Sequence, residues 1–92
     1  MKRRQNNMAL IGLGYWGKNI FRNLNELNVL NTACDINSST IEDYKRRFPH
    51  IKYTNSVESV WSDEGIGAVL IAAPAVAHFE LVKTALLKRK DV

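Results

Sequence analysis

Hydrophobic and polar positions along this chain fall into alternating blocks of two kinds. Met8-Ala9-Leu10-Ile11-Gly12-Leu13 is a short unbroken apolar run, which suits a strand covered on both faces, as in a parallel sheet. Ile20, Phe21, Leu24 and Leu27 then recur at helical spacing, with Lys18, Arg22, Asn23 and Glu26 opposite them. That spacing predicts an amphipathic helix from about Tyr15 to Asn28. Val29 to Asp35 returns to strand character, interrupted by Asn31. Ser39-Thr40-Ile41-Glu42 has the capping-box form and predicts a second helix with Ile41, Tyr44 and Phe48 inward. Phe48-Pro49 should end it, because proline disfavours helix at the preceding residue. Ile51-Lys52-Tyr53 alternates like an edge strand, and Asn55 with Glu58 forms a second cap pair for a short helix with Val57, Val60 and Trp61 inward. After Gly65 and Gly67, Ala68 to Ala72 forms another buried strand, and Pro74 marks its exit. Val76, Phe79, Val82 and Leu86 give a last helix, ending near Lys88, Arg89 and Lys90, whose charges suit the negative end of the helix dipole.

Strands alternating with helices in the order βαβαβ(α)βα require an α/β fold with parallel strands and right-handed crossovers. The expected architecture is a Rossmann-type doubly wound parallel sheet, incomplete, with about four strands. Residues 7–92 form it and residues 1–6 are expected as a disordered basic tail. Only one domain fits in 92 residues, against the usual 100–150 or so. The topology would begin another strand after Asp91-Val92, so the chain reads as a truncated domain. Its fourth strand, apolar on both faces, is then an exposed edge that invites self-association.

Composition narrows the classes. The net charge is +4, with basic residues in three separated clusters: Lys2-Arg3-Arg4, Lys45-Arg46-Arg47 and Lys88-Arg89-Lys90. Nucleic-acid binding needs one continuous basic face with motif support, and these clusters read as a solvated tail and helix ends. The single cysteine, Cys34, cannot form an internal disulfide and sits in a predicted strand as an inert thiol. No apolar stretch follows the basic amino terminus, and the longest apolar run is about half a membrane span. A cytoplasmic protein without a membrane partner is expected.

Gly12-Leu13-Gly14-Tyr15-Trp16-Gly17 matches G-x-G-x-x-G. Alone the match is weak, but here it follows a buried strand, opens an amphipathic helix and precedes an acid, Asp35, 18 residues after Gly17. Those contexts define a dinucleotide-binding site. Gly12 permits the turn out of the strand, Gly14 lets backbone approach a pyrophosphate, and Gly17 lets helix pack on strand. Free N–H groups and the dipole at the helix start attract the phosphates. Asp35 would accept hydrogen bonds from the adenosine ribose and repel a 2′-phosphate, which favours NAD over NADP. It competes with a capping role, although Ser39 is the better-placed cap. Tyr15 and Trp16 read equally as a wall beside the cofactor or as packing under the helix. Ala73 and Pro74, at the exit of the fourth strand, should face the same crevice. His78 either reaches that crevice or points to solvent, and His50 reads as a loop residue. The residues contain no nucleophile–base pair, metal cluster or carboxylate pair, so no catalytic or metal-binding residue is assigned.

The run from Ala9 to Asn19, the strand end Ala33-Cys34-Asp35, and Ile71-Ala72-Ala73-Pro74 followed by His78 together resemble the Gfo/Idh/MocA oxidoreductase family. The Gly14-Tyr15-Trp16-Gly17 loop looks most like the branch that oxidises nucleotide sugars, such as UDP-N-acetylglucosamine 3-dehydrogenases. This resemblance implies an amino-terminal NAD-binding domain followed by a second domain that binds sugar and mediates oligomerisation. It also implies a lysine in a Glu-Lys-Pro motif that assists proton transfer while hydride passes to nicotinamide. Gly12, Gly14 and Gly17 would hold pyrophosphate, lined by Tyr15 and Trp16. Asp35 would bind ribose, Ala73 and Pro74 would border the cofactor, and His78 would stand near the nicotinamide. Two departures stand out: Ala73 replaces a frequent threonine, and the chain stops before a Glu-Lys-Pro segment. By this reading the chain is the NAD-binding portion of a sugar or nucleotide-sugar dehydrogenase, inactive by itself. The alternatives are a non-catalytic dinucleotide-binding module, such as a redox sensor or assembly partner, and a methyltransferase-type Rossmann domain.

Overall fold

A computed structural model describes residues 7–14, 17–72, 75–88 and 90–91. Eight elements follow one another: β1 (Met8–Ile11), α1 (Gly17–Glu26), β2 (Leu30–Cys34), α2 (Ser38–Arg47), β3 (Lys52–Thr54), α3 (Val57–Ser62), β4 (Ala68–Ile71) and α4 (Ala75–Leu87). The strands form one sheet in the order β3-β2-β1-β4, and every neighbouring pair is parallel. The chain winds outward from β1 to β3 and then crosses to the other side of β1. That reversal opens a crevice beyond the carboxyl ends of β1 and β4, where ligands of such sheets lie.

Both faces of the sheet are covered, which explains the unbroken apolar run in β1. Leu10 packs with Phe21, Leu24, Ala33, Tyr44 and Ile51 under α1 and α2. Its neighbours Ala9 and Ile11 face the other way, with Cys34, Val60, Trp61, Val69 and Ala85. Asn31, which interrupts the β2 pattern, lies where the register slips: Met8 pairs with Leu30 but Ala9 pairs with Thr32. The extra residue puts Leu30 and Ala33 on the same side of the sheet. Asn31 is buried there, and its Oδ1 accepts from the Thr32 hydroxyl at 2.6 Å.

Three helix ends and one helix face depart from the sequence expectations. The α1 pattern was expected to reach Asn28, but the helix stops at Glu26. Asn28 takes a left-handed φ of 61°, and the Val29 N–H closes back onto the Leu24 carbonyl. Asn37 caps α2 in place of Ser39, its Oδ1 accepting from the backbone of Ser39 and Thr40; Ser39 lies inside the first turn. Ser56 occupies the α3 cap without a side-chain bond, while Asn55 reaches Ser38 instead. On α4 the inward residues are Leu81 and Ala85. Val82 and Leu86 line a shallow apolar groove with Lys83 and Leu87 on the outer side. The side chains of Val76 and Phe79 lie outside those described.

Lys90 does not serve the α4 dipole. It is buried, and its Nζ donates to the carbonyls of Asp63 and Ile66 at 2.7 Å each, in the loop between α3 and β4. Next to it, Asp91 pairs in parallel with Ala68. The Val69 N–H donates to the Asp91 carbonyl, and the Asp91 N–H donates to the Gly67 carbonyl. The outer edge of β4, expected to be bare, is therefore covered over its first half. No helix among the described residues is long and apolar enough to cross a membrane.

Candidate functional site

The three glycines have different reasons to be glycine. Gly12 leaves β1 with φ 104°, in the left-handed region that side chains avoid. Its N–H donates to the Cys34 carbonyl at 2.8 Å. A Cβ there would overlap the Ala72 carbonyl oxygen and lie 2.9 Å from the Ala72 carbonyl carbon. The ends of β1, β2 and β4 therefore meet around Gly12. A Cβ on Gly17 would strike the Gly12 carbonyl, so Gly17 sets how closely α1 approaches the strand. Gly14 is exposed, and a Cβ on it would meet nothing within 4 Å. Nothing among the described neighbours requires a glycine at this position.

Helix α1 starts from this loop, with the Lys18 N–H donating to the Gly14 carbonyl at 3.0 Å. Its first turn carries no acidic residue, so no side chain of the helix itself offsets the positive end of its dipole. Leu13 anchors the loop with a buried side chain.

Asp35 stands one residue beyond β2. It was expected to be free for a ligand because Ser39 would cap α2. Asn37 provides the cap instead, and the Asp35 carboxylate is engaged by backbone: Oδ2 accepts from the Leu13 N–H and Oδ1 from the Asn37 N–H, both at 2.8 Å. Its own N–H donates to the Thr54 carbonyl at 3.2 Å. Ionised carboxylate oxygens together offer about four lone-pair sites, so each can still accept one further bond. Beside it, Ile36 is 88% exposed, an apolar surface at the carboxyl end of β2. Cys34 lies beneath, buried, with its thiol pushed up to about 11 by burial and then by the Asp35 charge. At neutral pH it is a protonated core residue.

His78 is exposed in the first turn of α4, which begins at the carboxyl end of β4. Among the described residues its ring makes no hydrogen bond to the glycine loop. Tyr15, Trp16, Ala73 and Pro74 lie outside the described residues. His50 is tied to α1 through Nε2 and Asn25 Oδ1 at 2.7 Å. Among the described residues no group of three or more His, Cys, Asp or Glu side chains can hold a metal. Lys45, Arg46 and Arg47 fill the last turn of α2, where Asp43 bridges both arginines. The apolar groove on α4 lies toward the opposite end of the sheet, because α4 runs back from the carboxyl ends of the strands.

Sequence reasoning located the loop and the acid but missed the bond between them. Leu13 and Asp35 are 22 residues apart, and the only available signal was that both leave adjacent parallel strands at the same end.

A family described as an oxidoreductase family with an NAD-binding Rossmann fold, Gfo/Idh/MocA, matches residues 6–92. No curated protein sequence matches. Among solved structures, the chain is similar to GenD2 from gentamicin A biosynthesis in complex with NAD (TM-score 0.84, 20% identity, 96% of this chain and 26% of that one). It is also similar to myo-inositol 2-dehydrogenase from Lactobacillus plantarum (TM-score 0.80, 28% identity, 90% and 25%). A third is UDP-N-acetylglucosamine 3-dehydrogenase from Acidithiobacillus ferrooxidans (TM-score 0.78, 19% identity, 90% and 26%). The chain thus spans about a quarter of the length of these structures.

Proposed function

Because this chain belongs to the Gfo/Idh/MocA oxidoreductases, a family with an NAD-binding Rossmann fold, we propose that it is the cofactor-holding part of a sugar or nucleotide-sugar dehydrogenase. The observation that carries this reading is Gly14. Gly12 and Gly17 are required by their own neighbours, whereas the space a Gly14 Cβ would fill is open, as a site for close approach of a pyrophosphate demands. The Gly14 backbone and the start of α1 receive the two phosphates. Asp35 offers its remaining lone pairs to the adenosine ribose, and a 2′-phosphate there would meet its charge. Ile36 gives the base an apolar surface. When bound, NAD accepts hydride from a hydroxyl-bearing sugar carbon; this chain's residues bind and orient the cofactor. The similarity to myo-inositol 2-dehydrogenase and to UDP-N-acetylglucosamine 3-dehydrogenase supports a polyol or sugar as the hydride donor.

Titration calorimetry with NAD and NADP tests the assignment. NAD should bind more tightly than NADP, and Asp35→Ala should lose about 1.5–3 kcal/mol of NAD binding, the range for hydrogen bonds to a charged group. Equal affinity for the two cofactors would remove Asp35 from the ribose.

A further inference from the structure

The Asp35 carboxylate is shared between two backbone segments. Its Oδ2 holds the Leu13 N–H in the middle of the glycine loop, and its Oδ1 holds the Asn37 N–H in the turn before α2. The Asp35 N–H is fixed by Thr54 at the end of β3. One residue therefore ties together the carboxyl ends of β1, β2 and β3. Leu13 sits between Gly12 and Gly14, so the bond to its N–H sets the path of the backbone that approaches the phosphates. Hydrogen bonds to an ionised acceptor are about twice as strong as neutral ones.

From this geometry we infer that Asp35 is a positioning residue for phosphate binding, in addition to its contact with ribose. The inference rests on the proposal that the glycine loop holds the pyrophosphate. Its consequence is that the acid supports binding of a phosphate ligand that it does not touch. If Asp35 served ribose alone, the loop would be held sufficiently by the Gly12–Cys34 bond, the Lys18–Gly14 bond and the buried Leu13 side chain.

ADP and 2′,3′-dideoxyadenosine 5′-diphosphate separate the two roles, because the second has the phosphates without the ribose hydroxyls. Asp35→Ala should weaken the dideoxy nucleotide by about five-fold, near one ordinary hydrogen bond, and ADP by more. Asp35→Asn retains the shape but offers one acceptor oxygen in place of two. It should show a smaller loss on both ligands and serves if the alanine variant folds poorly. In the free chain, amide hydrogen exchange at Leu13 should accelerate in either variant relative to Gly12, whose N–H is held by Cys34. General destabilisation would accelerate both amides together. If the variants bind the dideoxy nucleotide as the wild type does, Asp35 acts only at the ribose and the inference falls. If the wild-type chain binds neither nucleotide, the proposed phosphate site itself falls, and the inference with it.

Discussion

At the residue scale, the fingerprint glycines make opposite predictions when replaced by alanine. Gly12→Ala forces a side chain into the left-handed region and against Ala72, and Gly17→Ala pushes α1 off the Gly12 carbonyl. Both should lower the melting temperature. Gly14→Ala meets open space at a φ that is not left-handed. It should leave stability unchanged or raise it by about 0.4–1 kcal/mol, through reduced freedom of the unfolded chain, while NAD affinity falls. Thermal melts beside calorimetry check this; a Gly14→Ala variant that melts early would mean that the fold, not a ligand, requires that glycine. The motif was legible in sequence, but this division of labour was not, because it depends on what each missing Cβ would strike. Residue-scale titration gives a second prediction. Burial raises the Cys34 thiol from 9.0 to about 11, and burial with nearby Tyr44 raises the Tyr53 hydroxyl from 10.0 to about 12. The folded chain keeps these protons where the unfolded chain loses them, so stability is intact below about pH 9 and falls as pH rises through the folded values. For Cys34 the loss approaches about 2–3 kcal/mol. Urea midpoints should drop between about pH 9 and about pH 12, and the drop should shrink in Cys34→Ala; a flat wild-type profile would contradict it.

At the scale of elements, the sequence pattern named every helix and strand in order but misplaced several of their ends and one of their faces. Hydrophobic spacing marks the middle of a helix, where packing dominates, whereas caps depend on which of several equivalent polar residues the chain turns at. Asn37, Ser38 and Ser39 all suit a cap. The structure selects Asn37, which closes on both Ser39 and Thr40. Asn37→Ala should therefore cost about 1 kcal/mol, and Ser39→Ala clearly less. A Ser39→Ala cost equal to the Asn37→Ala cost in denaturant melts would restore the capping box. Helix α4 shows the other failure. Apolar residues lie on more than one side of it, so its spacing does not choose a face. Only packing places Leu81 and Ala85 inward while Leu86 and Leu87 stay exposed. The dipeptide after α1 carries a signal that the pattern overlooked: Asn28 adopts the left-handed conformation, which closes helices, so Asn28→Gly should be tolerated better than Asn28→Ala.

At the scale of the whole molecule, the outer edge of β4 is tied to the segment after α4. Among the described residues, backbone pairing on that edge runs from Gly67 to Val69 through Asp91, leaving Leu70 and Ile71 beyond it. Asp91 is held in place by its neighbour. The Lys90 ammonium is buried and donates to two carbonyls of the α3–β4 loop, and the Lys90 N–H donates to Ala85 in α4. Lys90 thus locks the end of α4, the loop before β4 and the strand edge together, a role invisible in a sequence where it reads as one of three clustered cations. Lys90→Met keeps the length and the apolar stem but removes both donor bonds. It takes the buried Ile66 carbonyl's partner away, at about 1–3 kcal/mol for a buried unsatisfied group, while the Asp63 carbonyl keeps the Ile66 N–H. Releasing Asp91 would then free the backbone of Gly67 and Val69 that it now pairs with, and unpaired strand edges recruit other strands. We expect Lys90→Met to melt earlier and to sediment as larger species at concentrations where the wild type remains smaller. Lys88→Met, which removes an exposed cation of the same cluster, should do neither. If the two variants sediment alike, the buried amine does not guard the edge, and whatever association the chain shows comes from its α4 surface instead.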